Sequence, residues 1–215
     1  MSPATVFIVD DEASVRKATA RLLAAAGLPA ATFASAAEFL AAYDPAMPGC
    51  LLLDLSMPGQ SGLDLQLALR AQGAPLPVIF LTGRADVQAT VQAMKGGAIE
   101  FLTKPFEAEM LIASVHAAFA RDAGERTKRA ELADIRRRLA TLTPRETQVL
   151  GCVIAGKLNK QTAAELGTVE KTIKVHRARV VEKLQVHSLA ELVLLANKAG
   201  IVPETAAAAH PASGD

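Results

Sequence analysis

Short apolar runs alternate with longer amphipathic segments over the first 120 residues of the chain. The apolar runs predict five strands, at residues 5–9, 30–33, 50–54, 77–82 and 99–103. The segments between and after them predict helices near residues 12–25, 35–43, 63–71, 86–95 and 107–120. The strands are continuously apolar rather than alternating, as expected when helices cover both faces of a sheet. This order predicts an α/β fold with a doubly wound, five-stranded parallel sheet.

From residue 142 onward the pattern is purely helical. Thr143, Pro144 and Glu146 have the spacing of a capping box with proline at the first helical position, and Gly156 ends the helix that follows. A short second helix, closed by Gly167, precedes a long basic third helix, "VEKTIKVHRARVVEKL", which is the order of a helix-turn-helix. The segment "SLAELVLLANKAG" predicts a capped fourth helix. An all-α, four-helix domain is therefore expected at residues 142–202.

The segment between these two regions, residues 121–141, is dense in charges and helix formers. It predicts a solvated helical linker, with pairing to a second copy of itself as the alternative. The predicted organisation is thus an α/β domain at 3–120, a linker at 121–141, a helical domain at 142–202 and a low-complexity, disordered tail at 203–215.

The small net charge of +1 conceals a division along the chain. Residues 1–120 carry 7 Lys and Arg against 11 Asp and Glu, whereas residues 121–215 carry 16 against 11. An acidic half followed by a basic half suggests cations as partners for the first and phosphate groups for the second. Cys50 and Cys152 are far apart in apolar surroundings, which predicts two buried free thiols. The sequence predicts no secretory signal and no membrane span, so a cytoplasmic location is expected.

Polar or charged residues follow four of the five predicted strands. Because the carboxyl ends of parallel strands meet at one edge of the sheet, these side chains are expected to converge there. They are Asp10 and Asp11 after the first strand, Asp54 ending the third, Thr82 ending the fourth and Lys104 after the fifth. The second strand has no such residue and is predicted to lie at the margin of the sheet.

Three converging carboxylates repel one another unless a cation lies among them, and their oxygen ligands favour Mg²⁺. With a hydroxyl and an ammonium group nearby, this is a phosphoryl-transfer site in which Asp54 is the nucleophile. Thr82 would bind a phosphoryl oxygen and Lys104 would neutralise charge. Each residue alone has a structural alternative. Asp10 could cap the helix that begins near Glu12, Thr82 could simply end a strand, and Lys104 could face solvent.

The stretches "VDDE", "LLLDLSMPGQSGLDL", "LTGRADV" and "AIEFLTKPF" resemble the receiver domain of two-component response regulators over about residues 3–120. The resemblance implies a flavodoxin-like fold in which Asp54 accepts a phosphoryl group from a histidine of a sensor kinase. It further implies that Asp11 and Asp54 bind Mg²⁺ directly together with the backbone carbonyl of Ser56, while Asp10 acts largely through water.

The same resemblance implies a switch and a backbone feature near the site. Thr82 is expected to be coupled to an aromatic residue on the fifth strand, here Phe101, although Phe101 could equally be a core residue. The Lys104–Pro105 peptide bond is expected to be cis, which directs Lys104 toward the phosphoryl group.

The basic third helix of the second domain has two distinguishable faces. Apolar residues are expected to point inward at Ile173, Val180, Val181 and Leu184, whereas Lys171, Lys174 and Ala178 share another face. A basic amphipathic helix could be no more than a solvated surface. The short helix and tight turn that precede it favour DNA binding instead.

The segments "LTPRETQVL", "AGKLNKQTAAELG", "EKTIKVHRARVVEKL" and "SLAELV" resemble the LuxR-type DNA-binding domain of the FixJ and NarL branch over about residues 142–202. The resemblance implies that the third helix enters the major groove, with Lys174 and Val175 near base edges. Phosphate or flanking contacts are expected from other residues of this helix and from the second helix: Lys160, Lys171, Thr172, Arg177 and Arg179.

Two residues and the fourth helix leave the resemblance open in detail. Ala178 stands where some relatives have a basic residue, so no base preference follows. His176 could touch phosphate or pack internally. The fourth helix, with Leu189, Leu192, Val193 and Ala196, could supply a dimer contact or belong to the core.

Together these features predict a phosphorylation-activated transcriptional regulator rather than an enzyme. Its expected cofactor is Mg²⁺, and its expected partners are a cognate sensor histidine kinase, double-stranded promoter DNA, RNA polymerase and a second copy of the phosphorylated chain. One alternative is a constitutive DNA-binding regulator whose receiver does not signal. Another is a haloacid-dehalogenase-like phosphatase, although that family carries its nucleophile as DxD on the first strand.

Overall fold

The computed structural model describes residues 3–73, 76–83 and 87–201. It divides into two units, Met1–Arg126 and Thr127–Asp215. The predicted tail at 203–215, and residue 86 at the predicted start of the fourth helix, lie outside the described residues. Within the described residues, no helix is both long enough and apolar enough to cross a membrane.

The first unit contains the predicted alternation of strands and helices. The elements are β1 (Thr5–Val9), α1 (Ala13–Ala25), β2 (Ala30–Phe33), α2 (Ala36–Ala42), β3 (Gly49–Asp54), α3 (Gly62–Ala71), β4 (Val78–Thr82), α4 (Val87–Lys95), β5 (Glu100–Thr103) and the start of α5 (Ala108–Leu139). All strand pairs are parallel and the strand order is β2-β1-β3-β4-β5. The predicted doubly wound α/β fold is confirmed, and β2 lies at the margin as expected.

Successive residues of the central strands pack on opposite faces of this sheet, because side chains alternate along a strand. Phe7, Leu51 and Phe80 belong to a core cluster on one face. On the other face, Ile8 and Leu52 pack in a second cluster that includes residues of α5. Both faces are therefore covered, which explains the continuous apolar runs in the sequence. Cys50 is one of these core residues and is a free thiol, as is the buried Cys152.

The second unit contains the four predicted helices after the end of α5. They are α6 (Pro144–Ile154), α7 (Asn159–Glu165), α8 (Glu170–Leu184) and α9 (Leu189–Lys198). The capping box is confirmed, because the Thr143 hydroxyl accepts from the Glu146 amide and the Glu146 side chain accepts from the Thr143 amide. Gly167 adopts a φ of +62° between α7 and α8, a left-handed conformation that favours glycine.

One residue of α8 differs from the predicted inward stripe. Ile173, Val180 and Leu184 are buried in the core of the second unit, but Val181 is 40% exposed. Adjacent helical residues are about 100° apart around the axis, and Val181 lies at the border of the inward-facing stripe, whereas Val180 lies within it. The prediction for Val181 is wrong.

Helix α5 also differs from the predicted solvated linker. It runs without interruption from Ala108 to Leu139, and Asp122, inside the predicted linker, is only 2% exposed. Near its other end, Ile135 is buried and Leu139 packs against the core of the second unit. The prediction of a solvated segment is wrong at these positions, because both ends of the segment pack within a folded unit. The residue limits of the four predicted domains stay predictions.

Candidate functional site

Asp54 is the last residue of β3, in the middle of the sheet. Its carboxylate is buried, with the residue only 6% exposed. Its Oδ1 lies 2.7 Å from Lys104 Nζ, and its Oδ2 accepts a hydrogen bond from the Ser56 backbone N–H at 3.0 Å. The carboxylate therefore ends a buried strand yet has a charged partner and a backbone donor.

Asp10 lies beside it at the end of the neighbouring strand β1 and is fully buried. Its Oδ2 is 2.5 Å from the same Lys104 Nζ, and its Oδ1 accepts from the Glu12 backbone N–H at 2.8 Å. Asp10 thus belongs to the acidic cluster, and its bond to the Glu12 amide lies just before α1 rather than capping the helix. Glu12, rather than Asp10, is the residue that precedes the first turn of α1.

Lys104 follows β5 and bridges the two carboxylates. Its backbone N–H donates to the Thr82 carbonyl at 2.7 Å, and the Lys104–Pro105 peptide bond is cis, as expected. Partial burial alone would lower the pKa of Lys104, but hydrogen bonds to Asp10 and then Asp54 outweigh it and raise the pKa. The ammonium group is therefore charged at neutral pH and offsets part of the negative charge of the cluster.

The two predicted switch residues lie on adjacent strands, with Phe101 opposite Phe80, two residues before Thr82. Thr82 ends β4 and is buried. Phe101 on β5 is half-buried, and its ring centroid lies 6.2 Å from that of Phe80. Part of the Phe101 side chain therefore packs against the core, and the rest is accessible to solvent. Both interpretations of Phe101 are compatible with this position.

Asp11 and Ser56, the other predicted metal ligands, are exposed at the mouth of the cluster. The Asp11 side chain forms no hydrogen bond or ion pair with any described residue, which leaves its oxygens available to a ligand. In the described part of the chain, no three His, Cys, Asp or Glu side chains form a group that could hold a metal ion together. A metal site here would instead combine two carboxylates with the Ser56 carbonyl.

The donor chemistry of the cluster suits a divalent cation. Asp10, Asp11 and Asp54 bring three carboxyl groups to one edge of the sheet, and Lys104 supplies one ammonium group there. The ammonium group offsets one of the three carboxylates, and the two positive charges of a divalent ion would offset the other two. The donors are hard oxygens and one of the three carboxylates is exposed, as Mg²⁺ requires if it is to keep several waters.

Arg16 belongs to the surroundings of the cluster, although the sequence pattern did not single it out. It lies in the second turn of α1, and its Nη1 is 2.5 Å from the backbone carbonyl of Asp10. A backbone carbonyl has no signature in a sequence, so the only available signal was a basic residue soon after the acidic pair.

In the second unit, the basic residues predicted for DNA binding lie mainly on the surface. Exposed positions are Lys160, Lys171, Lys174, Arg179 and the neighbouring Ala178. Lys174 lies 3.5 Å from Glu170 across one turn of α8, and both side chains are well exposed. Val175 is 46% exposed, which is consistent with an apolar contact surface between the basic side chains.

Three other residues of α8 that the sequence analysis named are half-buried, and only part of each is available to a ligand. Thr172 and His176 are two of these, and the His176 Nδ1 is buried with no hydrogen-bond partner among the described residues. Arg177 donates from Nη1 to the Lys157 carbonyl at 3.5 Å, a weak contact to the segment before α7. The fourth helix is divided: Leu192 and Ala196 are core residues, Val193 is half-buried and Leu189 is exposed.

Comparison with known families assigns both units. The family model of the response regulator receiver domain matches residues 6–116. The family model of the bacterial regulatory proteins of the luxR family matches residues 140–196. The two matches contain every residue of the acidic cluster and the whole of α7 and α8.

Full-length relatives extend the similarity along the chain. Nodulation protein W of Bradyrhizobium diazoefficiens is 42% identical over 92% of this chain and 87% of its own. The transcriptional regulatory protein FixJ of Azorhizobium caulinodans is also 42% identical, over 92% of this chain and 94% of its own. Among solved structures, the response regulator StyR has a TM-score of 0.82 at 45% identity, covering 92% of this chain and 100% of its own. The chain therefore belongs to the response regulators that combine a receiver domain with a LuxR-type DNA-binding domain, a family of two-component transcription regulators rather than enzymes.

Proposed function

We propose that Asp54 accepts a phosphoryl group from a sensor histidine kinase, and that this modification activates the DNA-binding domain for transcription. The observation that carries the proposal is the placement of Asp54 at the end of β3, bonded to Lys104 Nζ at 2.7 Å. A phosphoryl group can be transferred to a buried carboxylate that has an ammonium group beside it. The ammonium group then neutralises part of the negative charge of the phosphoryl group.

In the transfer step, a carboxylate oxygen of Asp54 attacks phosphorus as the bond between phosphorus and the donor imidazole nitrogen breaks. In the unphosphorylated structure the Lys104 ammonium group is bonded to Oδ1 of Asp54. After transfer, we expect it to bond to a phosphoryl oxygen instead. Thr82, at the end of the adjacent strand β4, would bind another phosphoryl oxygen through its hydroxyl. The phosphorylated aspartate would hydrolyse slowly, so that the signal is temporary.

We propose that Mg²⁺ is held by Asp11, Asp54 and the Ser56 carbonyl, with Asp10 acting through water. The support is the charge of the cluster, since Lys104 offsets only one of three carboxylates. When bound, Mg²⁺ would supply the positive charge that lets a phosphoryl group approach these carboxylates.

The output of the switch requires a change in the accessible face of the receiver. We propose that a shift of Thr82 toward the phosphoryl group allows Phe101 to turn further inward, which remodels the face made by α4, β5 and α5. To change the active population from ~1% to ~99%, phosphorylation must favour the active state by about 5.5 kcal/mol. New charge-assisted bonds to Lys104, Thr82 and Mg²⁺ are of this order in sum.

We further propose that the activated receivers dimerise through this face and place two DNA-binding domains on paired half-sites. Helix α8 would enter the major groove with Lys174 and Val175 near base edges. Phosphate and flanking contacts are assigned to five residues: Lys160, Lys171, Thr172, Arg177 and Arg179. RNA polymerase is the expected partner on the promoter, and the cytoplasm is the expected location.

The two alternative functions are not equally compatible with the structure. A haloacid-dehalogenase-like phosphatase is excluded, because both units belong to families of regulators and the candidate nucleophile lies on β3 rather than on β1. A constitutive DNA-binding regulator with a non-signalling receiver is less well supported. Every position that phosphoryl transfer needs is occupied by a residue of suitable chemistry.

The proposal is tested by the oligomeric state of the full chain with and without beryllofluoride and Mg²⁺, which together imitate a phosphorylated aspartate. We expect dimerisation of the wild-type protein. Asp54→Ala should remain folded and monomeric, whereas Asp44→Ala, with a substitution in the loop before β3, should dimerise like the wild type. Dimerisation of Asp54→Ala with the same dependence on beryllofluoride would show that Asp54 is not the switch.

A further inference from the structure

Every hydrogen-bonding group of Asp10 is engaged. Its carboxylate accepts from Lys104 Nζ and from the Glu12 amide, and its own N–H donates to the Phe33 carbonyl at 3.3 Å. Its backbone carbonyl accepts from Arg16 Nη1 at 2.5 Å. The residue is therefore held on all sides at the end of β1.

The contact from Arg16 differs from the others because it acts on the peptide unit that joins Asp10 to Asp11. A peptide unit is planar, so holding its carbonyl oxygen also sets the direction of the Asp11 N–H and the position of the Asp11 Cα. The Asp11 side chain has no hydrogen bond or ion pair of its own among the described residues. Its direction therefore depends on how the backbone before it is held.

We propose that Arg16 is a positioning residue for the phosphorylation site, whose guanidinium holds the Asp10–Asp11 peptide so that the Asp11 carboxylate is directed to bind Mg²⁺. The inference rests on the proposed function of the acidic cluster. Arg16 would touch neither the metal ion nor the phosphoryl group, and it would act through the backbone carbonyl of Asp10 alone.

Two opposite effects on metal binding separate this role from a simple effect of charge. As a positive charge near the cluster, Arg16 repels a cation, so its removal should strengthen Mg²⁺ binding. As a positioning group it pre-orients a ligand, so its removal should weaken Mg²⁺ binding, by about tenfold if it resembles other groups that orient metal ligands. The sign of the change decides between them.

The test compares wild type, Arg16→Met, Arg16→Lys and Lys17→Met as full-length proteins. Lys17 is the matched control, because it is the next residue on α1, carries the same charge and is exposed. Direct Mg²⁺ binding is measured by calorimetry, and the Mg²⁺ dependence of phosphorylation is measured with acetyl phosphate. For Arg16→Met we expect about tenfold weaker binding and a matching rise in half-saturating Mg²⁺. Its maximal rate at saturating Mg²⁺ should stay within about twofold of wild type.

Arg16→Lys should recover part of the affinity, because an ammonium group can still donate to the carbonyl, and Lys17→Met should bind Mg²⁺ no more weakly than wild type. Unchanged or tighter binding by Arg16→Met would overturn the proposal, and so would equal weakening by Lys17→Met. Failure of the proposed function has a separate result, since the wild-type protein would then neither bind Mg²⁺ nor become phosphorylated.

Discussion

The carboxylate of Asp122 in α5 accepts a hydrogen bond from the backbone N–H of Gly49, the first residue of β3, at 3.0 Å. The same oxygen, Oδ2, lies 2.7 Å from Arg126 Nε, and the guanidinium of Arg126 also donates to the carbonyls of Ala46 and Met47. Helix α5 is thereby attached to the end of β3 opposite Asp54. The two α5 residues of this attachment, Asp122 and Arg126, lie beyond the residues matched to the receiver family, which end at 116.

Because of this attachment, we expect Asp122→Ala to destabilise β3 more than the loss of an exposed ion pair would. The substitution leaves the Gly49 amide and the Arg126 guanidinium without their shared acceptor, at a cost of about 2 kcal/mol. Hydrogen exchange of residues 49–54 should accelerate roughly 30-fold if it occurs through local opening. Mass spectrometry of the exchanged full chain measures this directly.

The control is Asp134→Ala, in the same helix, which removes ion pairs to Arg137 and Arg138. These pairs are partly exposed and none of them involves β3, so exchange in β3 should not change. Equal exchange in Asp122→Ala and wild type would contradict a role for Asp122 in holding β3.

A second prediction concerns Lys104 in the absence of metal. Lys104→Met should destabilise the receiver by about 1–3 kcal/mol in EDTA, because two buried carboxylates lose their shared cation. Adding Asp54→Asn should recover part of this loss, since it removes one of the two repelling charges. Urea denaturation of the wild type, the two single variants and the double variant measures the coupling between the two positions.

Lys95→Met serves as the control for Lys104, because Lys95 is an exposed lysine at the end of α4. Its substitution should leave stability within about 0.5 kcal/mol of wild type. If Lys104→Met is as stable as Lys95→Met, the ammonium group does not balance the carboxylates as described.

A third prediction concerns the pH dependence of the DNA-binding domain. A hydrogen bond from Lys183 Nζ at 2.6 Å, followed by one from the Thr143 amide, holds the pKa of Glu146 at about 2, below its ordinary value of 4.5. A lowered pKa in the folded state stabilises the protein above pH 4.5, and this stabilisation is lost as pH falls from 4.5 toward 2. Glu146→Gln should therefore be less stable than wild type at pH 7, with the difference shrinking toward pH 2.

Thermal unfolding of the second unit, followed by NMR signals of α6 in the full chain, gives this difference at each pH. Glu182→Gln is the matched control, because it makes the same substitution at an exposed position on α8. A difference between Glu146→Gln and wild type that is constant from pH 7 to pH 2 would contradict the assignment.

A fourth prediction separates two kinds of DNA contact on α8. Lys171→Ala should weaken binding to all sequences alike and reduce the slope of log affinity against log salt by about 1, as expected for a phosphate contact. Lys174→Ala should change which bases are selected, with a discrimination loss of about 1–3 kcal/mol at one position. Sites selected from random-sequence DNA by each protein provide the measurement.

The control for the DNA experiments is Lys198→Ala, on α9, where the ammonium group lies 2.5 Å from Glu131. Its salt slope and its selected sites should match those of wild type. A change of salt slope in Lys198→Ala equal to that in Lys171→Ala would mean that overall charge, rather than the face of α8, governs binding.

Much of the fold followed from local pattern. The capping box of Thr143 and Glu146 involves residues only three positions apart, so both partners appear within one short sequence motif. The convergence of Asp10, Asp54 and Lys104 was also predictable, because strand ends in a parallel sheet meet at one edge whatever their separation along the chain. The three side chains do meet, through a single ammonium group.

The wrong predictions arose where the hydrophobic pattern could not separate neighbouring positions, or where a side chain binds a residue that is remote in the sequence. Val181 lies at the border of an apolar stripe, and neighbouring helical positions cannot be separated by hydrophobicity alone. The charged segment at 121–141 has the composition of a solvated helix, yet Asp122 is buried against a strand 73 positions earlier in the chain. Composition does not show which single member of a charged run turns inward.

The amino-acid sequence by itself determined the order of elements, the helix caps and the set of side chains that gather around Asp54, because each depends on periodicity, on near neighbours or on strand direction. Only the tertiary structure decided the contacts of Arg16 with the Asp10 carbonyl and of Asp122 with the Gly49 amide. The physical reason is that both partners are backbone groups. Every residue carries a carbonyl and nearly every residue an N–H, so no residue type marks the one that a remote side chain will bind.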